Sequence, residues 1–190
     1  MFQRLKLIFF DNVSKRAETG LPVNDVTELV NPRVILTLPG LMRPLSRGTV
    51  TLKNSDPKES PLIDCNYFSE EIDLERMVKM IHIGRSIYKT PTMKKLGAME
   101  IGPGENIQSE EDLRQWVKTN VGSYYHFVGS CKMGIDNMSV VDTALRVKGI
   151  SQLRVVDASV MPTITSGNTN APTLMIAEKA SEMILQSHKI

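Results

Sequence analysis

The 190 residues predict a mixed α+β fold, because short β-type runs and amphipathic helical runs are interspersed rather than strictly alternating. The β-type runs are residues 34–38 and 49–53, each rich in apolar or β-branched side chains and bounded by turn-forming residues. Helical runs begin near Ser69, Ser109 and Pro172. We therefore predict an antiparallel or mixed sheet with covering helices, completed by a C-terminal strand, loop and helix.

Composition narrows the class of protein. The chain is 41% hydrophobic, and its 23 basic and 21 acidic residues give a net charge of +2. This balance argues against a nucleic-acid partner, which favours a strongly basic face. The two cysteines, Cys65 and Cys131, are too few for a disulfide framework or a zinc site. No run approaches the roughly 20 apolar residues of a membrane span, so we expect a globular chain of a reducing compartment, the cytoplasm.

The two β-type runs are expected to pair antiparallel with each other. A third strand is expected at residues 153–157, ending in Asp157. Residues 1–33 carry no firm hydrophobic period and are read as a lead-in.

The first helical run has Ser69 as a candidate N-cap and ends at Thr90, which precedes a proline. Acidic residues in its first turn favour the positive end of the helix dipole. The residues predicted to be buried along it are Leu74, Met77, Val78, Ile81 and Ile87.

Two further helices have recognisable start signals. Ser109 and Asp112 stand three residues apart, like a capping box, and Pro172 suits a first helical turn. The second helix is predicted to bury Leu113, Trp116 and Val117. The third carries the apolar residues Leu174, Met175, Ile176, Ala180, Met183 and Ile184.

Of the three histidines, His126 is the candidate for chemistry. It opens a segment, residues 126–134, that has two glycines and little charge. A neutral imidazole in such a setting can accept a proton near pH 7. The alternative is a core histidine bonded to a backbone carbonyl. His82 is expected to be structural, and His188 lies too near the end to contribute.

A second candidate site is the polar loop that joins Asp157 to the third helix. A strand end, a loop of small residues and a helix N-terminus together offer free backbone N–H groups to an anion or a polarised ligand. Asn168 and Asn170 add hydrogen-bonding capacity, although both could simply cap the helix. The chain has no Gly-x-Gly-x-x-Gly fingerprint and no Gly-x-Ser-x-Gly elbow.

The order and spacing of these segments resemble the carboxyl-terminal part of the glucose–methanol–choline (GMC) flavin oxidoreductases, from about residue 34 to about residue 187. Asn168 makes the last motif similar to choline dehydrogenase-like members, since the glucose oxidase type has histidine there. The segments that carry the resemblance are residues 43–48, 56–57, 61–64, 126–134, 153–159 and 166–173.

The resemblance implies an FAD-dependent alcohol oxidoreductase. His126 would accept the proton of the alcohol hydroxyl, Asn168 would hydrogen-bond the same oxygen, and the carbon would pass hydride to flavin N5. The residues implied to lie against FAD are Asp157, Ala158, Asn170, Pro172 and Thr173; no metal is implied.

The resemblance also sets the expected organisation. Residues 1–33 would be a lead-in, residues 34–150 part of the substrate domain, and residues 151–190 a contribution to the FAD site. Because the glycine fingerprint is absent, we expect weak FAD binding by this chain alone, and partly uncovered apolar faces within residues 153–187. Three alternatives stay open: a non-catalytic half that docks on a separate N-terminal FAD-binding chain, a substrate-binding module without redox turnover, and a lyase acting on cyanohydrins.

Overall fold

A computed structural model describes residues 6–9, 34–96 and 99–188. The described residues form two compact units. The first unit draws on residues within 1–41, 45–47 and 66–124, and the second on residues 42–44, 48–65 and 125–190. The expected boundaries at residues 33 and 150 refer to a complete enzyme and stay predictions. Most of the predicted lead-in lies outside the described residues.

The first unit contains a three-stranded parallel sheet. Its strands are β1 (Lys6–Phe9), β2 (Val34–Thr37) and β5 (Met99–Gly102), with β1 in the centre. The second unit contains a two-stranded antiparallel sheet of β3 (Thr49–Thr51) and β4 (Leu62–Asp64). The mixed α+β class is therefore confirmed.

The predicted pairing of residues 34–38 with residues 49–53 is wrong. β3 pairs with β4 instead, because the chain between them turns back on itself. The Asn54 side chain accepts a hydrogen bond from the N–H of Asp56, and the Asp56 side chain accepts one from the N–H of Lys58. Such turns, which side-chain hydrogen bonds stabilise, bring two nearby strands together at little cost in conformational entropy.

The first helix, α1 (Glu71–Tyr88), has Glu70 as its N-cap residue without a side-chain cap, so the prediction of Ser69 as N-cap is wrong. Ile87 is 54% exposed, which corrects its predicted burial. It follows Ile81 by six residues, which places it about 120° around the helix from that buried position. The predicted core residues Leu74, Val78 and Ile81 are buried and Met77 packs against them.

The helix α2 (Pro91–Lys95) precedes β5, and α3 (Glu110–Asn120) follows it. The predicted capping at α3 is confirmed: Ser109 Oγ accepts the N–H of Asp112 at 3.1 Å and donates to its carboxylate at 2.7 Å. Leu113 and Val117 are buried against the core of α1, and Trp116 packs at its edge. A local cap and a helical period were sufficient to predict this element.

Helix α1 also carries a buried carboxylate that the sequence assigned only to the helix dipole. Asp73 is 1% exposed, and one of its oxygens accepts hydrogen bonds from the N–H of Leu45 and from the N–H and hydroxyl of Ser46, at 2.7–2.8 Å. Burial raises the pKa of Asp73, but these hydrogen bonds outweigh it and the net pKa lies below its ordinary value. Asp73 therefore fixes the loop of residues 45–47 to α1 within the first unit.

The second unit is built around a short 3₁₀ helix (Ala158–Val160) and the long helix α4 (Asn170–His188). The predicted strand at residues 153–157 is not formed; a single bridge joins Arg154 to Arg146. The side chain of Asp157 accepts the N–H of Ser159, which turns the chain into the 3₁₀ helix. The buried core comprises Val141, Leu145, Val160, Met161, Ile176 and Ala180.

The apolar residues of α4 are divided between core and surface. Ile176 and Ala180 are buried, whereas Leu174 and Met175 are 63% and 60% exposed. This agrees with the expected partly uncovered apolar faces. In the stretches that the structure describes, no helix is long and apolar enough to cross a membrane.

Candidate active site

The segment that carries His126 is fixed to the 3₁₀ helix by backbone hydrogen bonds. The N–H groups of Gly129 and Cys131 both donate to the carbonyl of Ser159, at 3.0 and 3.1 Å, and Met133 donates to Val160 at 2.8 Å. Gly129 has φ +89°, a backbone conformation that residues with a Cβ rarely adopt. The positive φ at Gly129 thus favours glycine, and the backbone hydrogen bonds on either side of it fix the segment that carries His126.

The imidazole of His126 is held through one ring nitrogen. Its Nδ1 lies 2.9 Å from Oγ1 of Thr169, and the ring is half-buried. The alternative of a histidine bonded to a backbone carbonyl is therefore wrong, because the partner is a side-chain hydroxyl. Among the described residues Nε2 has no hydrogen-bond partner, so this nitrogen is open to a further hydrogen bond.

Thr169 joins His126 to the second predicted site. Thr169 is 8% exposed, while Asn168 and Asn170 on either side are exposed. The backbone carbonyl of Thr169 accepts hydrogen bonds from the N–H and the hydroxyl of Thr173, at 3.0 and 2.6 Å. These bonds form the first turn of α4, so the helix start and the imidazole share one anchoring residue.

The loop before Asn168 has a further anchor. Arg43 donates a hydrogen bond from Nε to the hydroxyl of Ser166. No hydrogen bond is made by the Asn168 or Asn170 side chains to the residues described, so neither acts as the helix cap that the sequence allowed. The family resemblance predicts that His126 and Asn168 act on one oxygen, but the sequence did not indicate a role for Thr169. The sequence signal for such a role was a hydroxyl residue next to Asn168. In the structure this loop alternates exposed and less exposed residues.

The predicted cofactor residues fall into two groups. Asp157 and Ala158 form the start of the 3₁₀ helix, and Asp157 is exposed. Asn170, Pro172 and Thr173 lie in the first turn of α4. Pro172 has no N–H and the N–H of Thr173 donates to Thr169, whereas the N–H of Asn170 has no partner among the described residues. Asn170 therefore offers an unpaired donor at the positive end of the helix.

The lysine of the segment that carries His126 forms an ion pair with an acidic residue. Lys132 Nζ lies 3.0 Å from a carboxylate oxygen of Asp136, whose other oxygen accepts the hydroxyl of Ser139. The hydrogen bonds from Ser139 and then Lys132 lower the pKa of Asp136 well below its usual range. Within the part of the chain that the structure describes, no cluster of three His, Cys, Asp or Glu residues could hold a metal ion.

Comparison with known proteins defines the class. The C-terminal GMC oxidoreductase family model matches residues 44–177. An alcohol dehydrogenase [acceptor] from Pseudomonas putida is 46% identical over 143 residues, covering 75% of this chain and 26% of the relative. An oxygen-dependent choline dehydrogenase from Chromohalobacter salexigens is 47% identical over 147 residues, covering 76% of this chain and 26% of the relative.

A solved structure gives the same assignment. The FAD-dependent oxidoreductase from Chaetomium thermophilum superposes with a TM-score of 0.73 at 30% identity, over 78% of this chain and 26% of its own. The fold and the matched residues are thus those of the C-terminal domain found in this class of oxidoreductases. The chain belongs to the GMC oxidoreductase family, and it spans about a quarter of the length of the curated relatives it matches.

Proposed function

We propose that this chain supplies the proton-handling side of the active site of an FAD-dependent oxidoreductase that acts on the CH–OH group of alcohols. The observation that carries the proposal is the bond between His126 Nδ1 and Thr169, which leaves Nε2 without a partner among the described residues, while Asn168, the residue before Thr169, is exposed. Alcohol and choline dehydrogenases among the relatives support the substrate class.

The residues at the start of α4 fit the cofactor. Asn170, Pro172 and Thr173 would present the N-terminus of the helix to the pyrimidine end of the flavin, where negative charge is stabilised. Asp157 and Ala158 would lie toward the ribityl and pyrophosphate part. FAD, when bound, supplies the hydride acceptor at N5.

The side chains of His126 and Asn168 have different roles at the alcohol oxygen. Nε2 of His126 accepts the hydroxyl proton, a role that typically contributes about a hundred- to ten-thousandfold to a rate. The carboxamide of Asn168 donates a hydrogen bond to the oxygen as it gains negative charge, and such donors contribute about a hundred- to a thousandfold. Removing the proton makes loss of hydride from the carbon easier.

A chimera tests this assignment. Residues 44–177 would replace the matching segment of the Pseudomonas putida enzyme, with choline and benzyl alcohol as probes. We expect Asn168→Ala to slow anaerobic flavin reduction about a hundred- to a thousandfold without loss of bound flavin. Asn137→Ala, an exposed asparagine with no hydrogen-bond partner among the described residues, is the matched control. An unchanged rate in Asn168→Ala would remove Asn168 from the mechanism.

The exposed apolar residues of α4 favour a second candidate function, a non-catalytic half that docks on a separate FAD-binding chain. Leu174 and Met175 directly follow the cofactor residues in the chain, and exposed apolar patches mark interaction sites. Both functions predict weak FAD binding by this chain alone, since the larger part of the FAD site would lie elsewhere.

Titration of the purified 190-residue chain with FAD measures that affinity, with quenching of flavin fluorescence as the signal. We expect no saturation at micromolar FAD. A stoichiometric yellow complex of micromolar affinity would contradict both functions as stated. Co-expression with the FAD-binding part of a relative then separates them: a catalytic half reduces flavin with alcohol, and a docking half retains flavin without reducing it.

A further inference from the structure

We propose that Thr169 is a positioning residue that sets the tautomer of His126. This inference rests on the proposed function, since it concerns which ring nitrogen accepts the proton of the alcohol. In it, Thr169 Oγ1 accepts a hydrogen bond from the protonated Nδ1 and so keeps the lone pair on Nε2.

The hydroxyl of Thr169 lies close to the imidazole of His126 in a position shielded from water. It lies 2.9 Å from Nδ1, across 43 residues of sequence, and Thr169 is 8% exposed, so water competes little for the bond. Both ends are fixed. The Thr169 carbonyl is held by two hydrogen bonds from Thr173, and the histidine segment is held on the 3₁₀ helix through Gly129 and Cys131.

The bond decides the proton chemistry of the ring. The nitrogen that carries the proton in a neutral imidazole is set by the hydrogen bond that the other nitrogen makes or lacks. With Nδ1–H donating to Thr169, the O–H bond of the alcohol breaks, its electron pair stays on oxygen and an Nε2–H bond forms. The bond from Nδ1–H to Thr169 persists, so the ring gains a positive charge without turning.

The opposite tautomer cannot do this. If the Thr169 hydroxyl donated to Nδ1, Nε2 would already carry a proton and could only donate to the alcohol oxygen. Thr169→Val keeps the size and branching of the side chain but removes the hydroxyl. Thr169→Ser keeps the hydroxyl and loses only the methyl group, so it is the conservative rescue.

The first measurement reads the tautomer directly. In the full chain labelled with ¹⁵N-histidine, long-range ¹H–¹⁵N spectra recorded with neutral rings distinguish protonated from unprotonated ring nitrogens, and loss of signals in His126→Ala assigns them. We expect a protonated Nδ1 in the unsubstituted chain and in Thr169→Ser, and a majority of Nε2–H in Thr169→Val. Thr163→Val, an exposed threonine of the same loop, should match the unsubstituted chain.

The second measurement is flavin reduction in the chimera. We expect Thr169→Val to slow it about tenfold, as for loss of one buried hydrogen bond, with flavin content unchanged and Thr169→Ser within about twofold of the parent. An unchanged tautomer in Thr169→Val would overturn the inference. If His126→Ala slows the reaction but Thr169→Val does not, the inference is overturned while the proposed function stands. If neither variant slows it, the proposed function fails.

Discussion

We expect His126→Ala to lower the rate of alcohol-dependent flavin reduction in the chimera by about two to four orders of magnitude. Alanine removes Nε2, the ring nitrogen that has no partner among the described residues, and so removes the proposed acceptor of the hydroxyl proton. Flavin should stay bound, because the histidine segment is held by backbone hydrogen bonds from Gly129, Cys131 and Met133. Stopped-flow loss of flavin absorbance under anaerobic conditions measures the step.

His82→Ala is the matched control for this substitution. His82 is an exposed histidine of α1 whose Nε2 lies 2.6 Å from Glu110, so its loss removes an imidazole and a surface contact only. Its rate should stay within about twofold of the parent, since surface substitutions usually have small effects. Alcohol-dependent reduction that survives His126→Ala at full rate would show that another group takes the proton.

Asp73→Ala is expected to lower the free energy of unfolding of the chain by about 2–4 kcal/mol, because it removes a buried ionised acceptor of three hydrogen bonds. Urea unfolding followed by circular dichroism measures the loss. Glu75→Gln removes a carboxylate from an exposed position of the same helix and should change stability by less than about 0.5 kcal/mol.

The destabilisation by Asp73→Ala should also depend on pH. The pKa of Asp73 is lowered in the folded chain, whereas in the unfolded chain it is about 3.9. A lowered folded pKa stabilises the fold fully above the unfolded pKa, and that contribution is lost as the pH falls through the folded pKa. The difference between parent and variant should therefore be constant near neutrality and shrink below about pH 4. A difference that stays constant into strong acid would show that the carboxylate charge is not what holds residues 45–47.

Elements fixed by local chemistry were predicted well from the sequence. The bond between Ser109 and Asp112 and the buried spacing of Leu74, Val78 and Ile81 depend on neighbours within one helix. The family was likewise predicted, because segments of fixed type stand in a fixed order.

Features that depend on distant parts of the chain were not predicted. The partner of β3 was decided by side-chain turns in the connecting loop, and Asp73 found its donors 27 and 28 residues earlier in the chain. Thr169 is the same kind of case, since its partner His126 stands 43 residues before it. The hydrophobic period of a sequence indicates which face of a helix or strand a residue occupies. It does not indicate which distant donor will bind the side chain of that residue.

The contact between His126 and Thr169 has a consequence for how such enzymes are recombined. Any crossover point placed between these two residues would pair an imidazole from one parent with an orienting loop from another. A crossover before residue 126 transfers His126 and Thr169 together from one parent, along with the start of α4. Domain shuffling that keeps residues 126–169 together can vary the rest of the protein without separating the proposed proton acceptor from its hydrogen-bond partner.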